Sequence, residues 1–127
     1  MINKYPCINI YENRKKNSKL SSQILYGEKF SITKIYRRFY KIKTGYDKYI
    51  GFIKKRKFEE FAFKPTHKVS SLKANVFSKP IKNSRIKMKL SFASLLQVKS
   101  SNKEFFNFDN YWIQKSDVVP LNYKEKI

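Results

Sequence analysis

The sequence predicts an all-β chain made of two tandem small barrels, and three observations predict it. The chain repeats itself at an offset of 66 residues, its apolar residues alternate in short runs of period two, and no segment reads as a three-turn amphipathic helix. The repeat places Asn9-Ile10-Tyr11 on Asn75-Val76-Phe77 and Asn17-Ser18-Lys19-Leu20 on Asn83-Ser84-Arg85-Ile86. Ile24, Tyr26, Phe30 and Ile32 fall on Leu90, Phe92, Leu96 and Val98, and Phe39-Tyr40 on Phe105-Phe106. Beyond that point the second copy is shorter, and Gly51-Phe52-Ile53 meets Tyr111-Trp112-Ile113 at an offset of 60. A single long repeat implies two copies of one module, because a solenoid needs three or more units to bury its core.

The elements follow in order. In copy one, Cys7 to Tyr11 and Gln23 to Tyr26 read as strands, with a polar loop from Glu12 to Ser22 carrying Arg14-Lys15-Lys16. Lys29 to Ile35 reads as a half-buried strand with Phe30, Ile32 and Lys34 on one face. Phe39 to Lys43 alternates likewise. Thr44 to Lys48 is a turn, in which Gly45 is able to take a positive φ. In the strand Tyr49 to Ile53, Gly51 implies a bulge or a close backbone approach. Copy two repeats the plan with strands Ala74 to Phe77, Met88 to Leu90, Leu95 to Lys99, Glu104 to Phe108 and Tyr111 to Gln114. Five short, curved strands and one long early loop per copy suit a small SH3-like barrel, whose closure removes exposed edges. The expected division is 5–60 for the first barrel, 61–66 for a linker containing Pro65, 67–122 for the second barrel and 123–127 for a tail. Modules of roughly 55 to 60 residues lie near the lower size limit for folding alone.

Composition bounds the function. Cys7 is the only cysteine, which excludes an internal disulfide and a multi-cysteine zinc site. No run of about 18 apolar residues exists, and Met1 to Pro6 lacks the apolar segment of a signal peptide. A soluble, unexported chain is expected, with the compartment, cytoplasm or cell envelope, left open. The formal net charge of +20 has two readings. One is nucleic-acid affinity through counterion release. The other is A/T-rich codon bias, since lysine, asparagine, isoleucine, phenylalanine and tyrosine are all abundant and lysine supplies 24 of the 29 basic residues. The second is preferred, so nucleic acid is expected only as a non-specific polyanion.

Three stretches then carry a family resemblance. Gln23-Ile24-Leu25-Tyr26-Gly27-Glu28, Asp47-Lys48-Tyr49-Ile50-Gly51-Phe52-Ile53 and Pro65-Thr66-His67-Lys68-Val69 resemble, in order, motifs of the tandem bacterial SH3-like domains that precede the catalytic domain of NlpC-type cell-wall cysteine peptidases. The resemblance spans roughly residues 5 to 122. It departs at Lys48, where the family usually has glycine, and at Ala93-Ser94, where the second copy lacks Gly-Glu. It implies recognition of cell-wall peptide or muropeptide, and a separate or fused NlpC-type catalytic domain as partner. This chain would be the N-terminal region of such an enzyme, or a truncated or split form. It also implies that Glu28 and Tyr49, with Asp47 as a second acid, meet the free amine of the peptide. Read from the residues alone, Glu28 equally suits a turn and Tyr49 the barrel core.

Catalysis by this chain is not expected. Cys7 lies in a predicted strand without a helix N-terminus to lower its pKa, and reads as a small buried apolar side chain. His67, the only histidine, reads as a pin at the linker-to-strand junction. A catalytic dyad, a metal site and a cofactor are therefore not predicted. Tyr36-Arg37-Arg38-Phe39-Tyr40 has two readings, a base- or sugar-stacking cluster and a strand with a solvated turn, of which the second is preferred. Trp112 reads as core, and Tyr111-Trp112 beside Asp109-Asn110 as a candidate aromatic groove. The alternative functions are a basic small-barrel RNA-binding protein and a structural protein–protein interaction module.

Overall fold

The structure is a computed structural model that describes residues 1–15, 18–58, 60 and 62–123. Lys16 and Asn17 of the predicted loop and repeat, Glu59 of the predicted first barrel, Phe61 of the predicted linker and residues 124–127 of the predicted tail lie outside the described residues. The chain divides into two compact units, Met1–Ala62 and Phe63–Ile127. Both are all-β, and the helical content of the described residues is one 3-10 turn, Lys115–Asp117.

The first unit holds β1 (Cys7–Tyr11), β2 (Leu20–Leu25), β3 (Phe30–Ile35), β4 (Phe39–Thr44) and β5 (Ile50–Lys54) in one antiparallel sheet of order β2-β1-β5-β4-β3. Period-two alternation sends Ile8 and Ile10 of β1, Ile24 of β2, Phe30 of β3, Ile42 of β4 and Ile53 of β5 into one core. Each such side chain contributes roughly 1.5–3 kcal/mol on burial. Gly51 has a steric cause. A Cβ there would stand 2.3 Å from Cγ2 of Ile10, so β5 approaches β1 more closely than any side chain permits.

The second unit holds β6 (His67–Val69), β7 (Lys73–Phe77), β8 (Ile86–Ser91), β9 (Leu95–Leu96), β10 (Ser100–Ser101), β11 (Phe105–Phe108), β12 (Tyr111–Gln114) and β13 (Val118–Pro120). One sheet runs β10-β11-β12-β7-β8 and a second β13-β6-β9. The repeat is visible bond by bond. Cys7 pairs with Leu25 and Lys73 with Ser91; Tyr11 pairs with Leu20 and Phe77 with Ile86. Each ladder shifts register at the same place, between Ile10 and Tyr11 and between Val76 and Phe77. The 60-residue offset holds too, since Tyr11 faces Phe52 and Phe77 faces Trp112.

Several expectations change. The loop after β1 ends earlier than Ser22, because β2 starts at Leu20. In β3 the register shifts between Ile32 and Lys34, so Lys34 leaves the face of Phe30 and Ile32 and is exposed, as is Ile35. The predicted strand Leu95 to Lys99 is only Leu95–Leu96, followed by the separate β10. Gly45 is not among the residues of positive φ; Gly27 (φ 84) and Lys48 (φ 54) are. Gly45 answers instead to crowding, as a Cβ there would lie 3.2 Å from the Lys29 carbonyl oxygen. Phe92, aligned with the buried Tyr26, is 54% exposed.

Candidate functional site

The turn from Tyr26 to Glu28 and the hairpin from Thr44 to Tyr49 bring two of the predicted residues together. Glu28 and Asp47 line one cleft of about 50 Å³ in the first unit, with Gln23, Lys29, Thr44 and Tyr46. Gly27 makes the turn possible by taking the left-handed conformation. The Leu25 amide donates to Glu28 Oε1 at 2.6 Å, and the Glu28 amide donates to the Leu25 carbonyl at 3.1 Å. Glu28 is therefore a turn residue. A carboxylate has about four acceptor positions, so this bond orients Glu28 without exhausting it.

Asp47 is held by its own hairpin. The Thr44 hydroxyl donates to Asp47 Oδ1, and the Tyr49 amide donates to the same atom at 3.4 Å. The Thr44 bond is the main reason its carboxyl titrates below the ordinary value of 3.8; desolvation opposes it, and the Tyr49 amide adds to the lowering. Lys48 has a left-handed φ of 54, a strained conformation for a residue with a side chain. Tyr49 does not line the cleft. Its ring packs half-buried against the core, and its amide donates to the Thr44 hydroxyl at 2.8 Å. The aromatic beside the two acids is Tyr46, 94% exposed, which the motif reading passed over. Exposed Tyr in a Gly-Tyr-Asp turn was the only sequence signal for it.

The other predicted residues are placed as follows. Tyr111 packs its ring 6.0 Å from that of the buried Phe108, and its carbonyl accepts from Asn107 Nδ2. Trp112 is half-buried in β12, opposite Phe77 and Asn107, while its neighbour Ile113 is fully buried. Trp112 is therefore not core; the strand alternation gives that place to Ile113. Cys7 is half-buried in β1 rather than buried, and lines a cleft of about 240 Å³ with Tyr11, Lys54 and Arg56. His67 Nδ1 lies 2.8 Å from the Thr66 hydroxyl, its ring stands 4.6 Å from that of Phe106, and burial lowers its pKa from the ordinary 6.5. Among the described residues no three His, Cys, Asp or Glu side chains group as metal ligands would.

No protein-family model matches the chain, and no curated protein matches it. Solved structures do. NlpC2 from Trichomonas vaginalis matches at 18% identity and a TM-score of 0.36, over 97% of this chain and 46% of that one. NlpC1 from the same organism matches at 17% and 0.38, over 97% of this chain and 44% of that one. The chain thus spans less than half the length of either protein.

Proposed function

We propose that the chain is a non-catalytic pair of SH3-like modules whose first unit recognises the free amine of a cell-wall peptide, by itself or in support of an NlpC-type peptidase domain. The observation that carries this reading is the meeting of Glu28 and Asp47 in one cleft. The chain has nine acidic residues against 29 basic ones, yet two carboxylates from separate turns converge here beside Tyr46. A carboxylate pair held by backbone and hydroxyl donors is a fixed receptor for an ammonium group, and charge-assisted hydrogen bonds are the strong ones. Lys29 on the same rim is placed to meet a carboxylate of a zwitterionic peptide. The motifs around Gly27-Glu28 and Asp47 to Ile53 supply the substrate class.

The test is a titration of the isotope-labelled chain with L-Ala-γ-D-Glu-diaminopimelate, followed by amide chemical shifts. Saturable shifts are expected at Gln23, Glu28, Tyr46 and Asp47. Glu28→Gln or Asp47→Asn is expected to weaken binding about tenfold or more, the worth of a hydrogen bond to a charged group. Acetylating the peptide amine is expected to abolish it. The absence of saturable shifts at millimolar peptide would sink the proposal.

A further inference from the structure

A second cleft in the first unit shares no lining residue with the one above and has the opposite character. It encloses about 400 Å³ and is lined by Arg14, Arg38, Phe39, Lys54 and Lys55. Its lining holds four cations, one aromatic ring and no carboxylate. The volume lies within the range of about 300–1,000 Å³ usual for small-molecule sites.

The cations are held on rings. The Arg14 guanidinium stands 3.7 Å from the centroid of Tyr36, whose ring lies 6.0 Å from that of Phe52. The ammonium of Lys54 lies 5.6 Å from the Tyr11 ring, which meets Phe39 edge to face at 6.4 Å. Lys55 lies over Tyr40 at 5.6 Å. A guanidinium stacked on a ring loses less freedom when its N–H groups bind an oxyanion, so such a site is partly pre-organised.

Arginine placement separates this cleft from the general lysine excess. The chain has five arginines. Arg14 and Arg38 line this cleft, and Arg56 lines the 240 Å³ cleft beside it, which shares Lys54. Three of the five thus border two clefts joined at one lysine, with Phe39 in one and Tyr11 in the other. Codon bias toward lysine does not explain where arginines gather. Arginine is the residue whose planar fork matches phosphate oxygens in pairs.

We infer that these joined clefts bind a short single-stranded oligonucleotide, with phosphates on Arg14, Arg38 and Lys54 and a base stacked on Phe39. Alternating cationic and aromatic side chains along a groove are what single-stranded nucleic acid requires, because phosphates and bases alternate along it. This is a discrete site, unlike the non-specific polyanion attraction that the net charge alone implies.

The test is fluorescence anisotropy of a labelled oligouridylate with the full chain, repeated with the oligodeoxy counterpart, over a range of salt. Arg14→Ala/Arg38→Ala, at exposed positions, is expected to reduce the slope of log affinity against log salt by about two, about one per phosphate contact. Lys87→Ala/Lys89→Ala, which removes the same charge from exposed positions of β8, is expected to leave the slope nearly unchanged. Phe39→Leu keeps an apolar side chain and is expected to lose about tenfold in affinity at constant salt slope, while Phe39→Trp recovers it. A thermal melt of each variant reports folding. Inorganic polyphosphate is the competitor without bases. Equal competition by polyphosphate at equal charge, unchanged binding in Phe39→Leu, or equal losses in the two double variants would each overturn the site and leave only bulk charge. Preference for RNA over DNA, or the reverse, identifies the source of the strand.

Discussion

Residues 1–3 and residues 67–69 occupy the same place in the two units and hold it by different chemistry. In the first unit Ile2 bridges Lys29, the Asn3 amide donates to the Glu28 carbonyl and the Gly27 amide donates to the Asn3 carbonyl. In the second, Lys68 pairs with Leu95, the Val69 amide donates to the Ser94 carbonyl and the Ala93 amide donates to the Val69 carbonyl. The backbone is one design at the 66-residue offset. The side chains are not: Asn3 and Val69 are both fully buried, but Asn3 gives its side-chain amide to the carbonyls of Ile24 and Leu25 and accepts from the Tyr5 amide. The lesson is that a repeat preserves the hydrogen-bond frame while each copy decides separately how to fill it. The carboxylate at position 28 completes a turn beside a cleft. Its counterpart, Ser94, is buried with a hydroxyl that has no partner among the described residues.

The most severe way to break the comparison is to give the first unit the side chain of the second. Asn3→Val is nearly apolar-for-polar at a buried site and leaves the Ile24 and Leu25 carbonyls without the amide donor. The expected loss is about 2–3 kcal/mol, the cost of stranding buried polar groups. Hydrogen exchange at the amides of Ile8, Ile10 and Ile24 would read it locally. Unchanged protection there would show that Asn3 is filler and not a clamp.

The converse exchange concerns the left-handed residue of the same turn. Gly27 has φ 84 and Ala93 has φ 73, so one backbone shape is held by a residue suited to it and by one that is not. Ala93→Gly is expected to stabilise by about 0.5–1 kcal/mol, the relief of strain exceeding the entropy glycine adds to the unfolded chain. Gly27→Ala is expected to destabilise by about 1 kcal/mol. Trp112 is the only tryptophan and lies in the second unit, so its fluorescence during urea unfolding follows the first change directly. A lower midpoint for Ala93→Gly would mean that the Ala93 methyl group contributes more by packing than its φ costs.

Much of this frame was legible in the sequence. The ladder of β1 and β2, its shift at Tyr11 and its copy in β7 and β8 follow from alternating apolar residues that the repeat duplicates. The close approach at Gly51 was legible because glycine inside an alternating strand has few other uses. The arm at residues 1–3 and β6 was missed, since Met1-Ile2-Asn3 and His67-Lys68-Val69 are too short to show a period and share no residue type. The division of the second unit's counterpart of β3 into β9 and β10 is not legible, because Leu95, Leu96 and Val98 read as one apolar run. At the candidate site, Glu28 and Asp47, named by their motifs, line one cleft with Tyr46, which the motifs do not name, and Tyr49 lies outside that lining. A strand-edge tyrosine gives no sign in sequence of which way its ring turns. Of the basic cleft, Arg38 and Phe39 stand in the Tyr36 to Tyr40 cluster that the sequence shows, but Arg14, Lys54 and Lys55 join them only through the fold of the sheet.

The smallest effect belongs to His67, which stands in the second unit at the position of Met1. The shorter contact of the Thr66 hydroxyl is to His67 Nδ1, and that hydroxyl also accepts from the Val98 amide at 3.0 Å. Burial, with the Phe106 ring against the imidazole, disfavours the charged form and holds the pKa below 6.5. In the unfolded chain the ring takes up its proton near 6.5, while in the folded chain it does so only at lower pH. Between those values the unfolded state binds more protons, so stability falls as pH drops below 6.5 and is fully present above it. Asp47 works in the same direction at more acid pH, its depressed carboxyl adding stability that is lost as it protonates. His67→Asn keeps a polar group near Thr66 and removes the titration. The expected outcome is a flatter dependence of the unfolding midpoint on pH just below 6.5, with the Asp47 loss at lower pH intact. The same slope in His67→Asn as in the parent chain would assign the pH dependence to the first unit instead, and with it the claim that the two copies of the arm differ in their response to protons would fall.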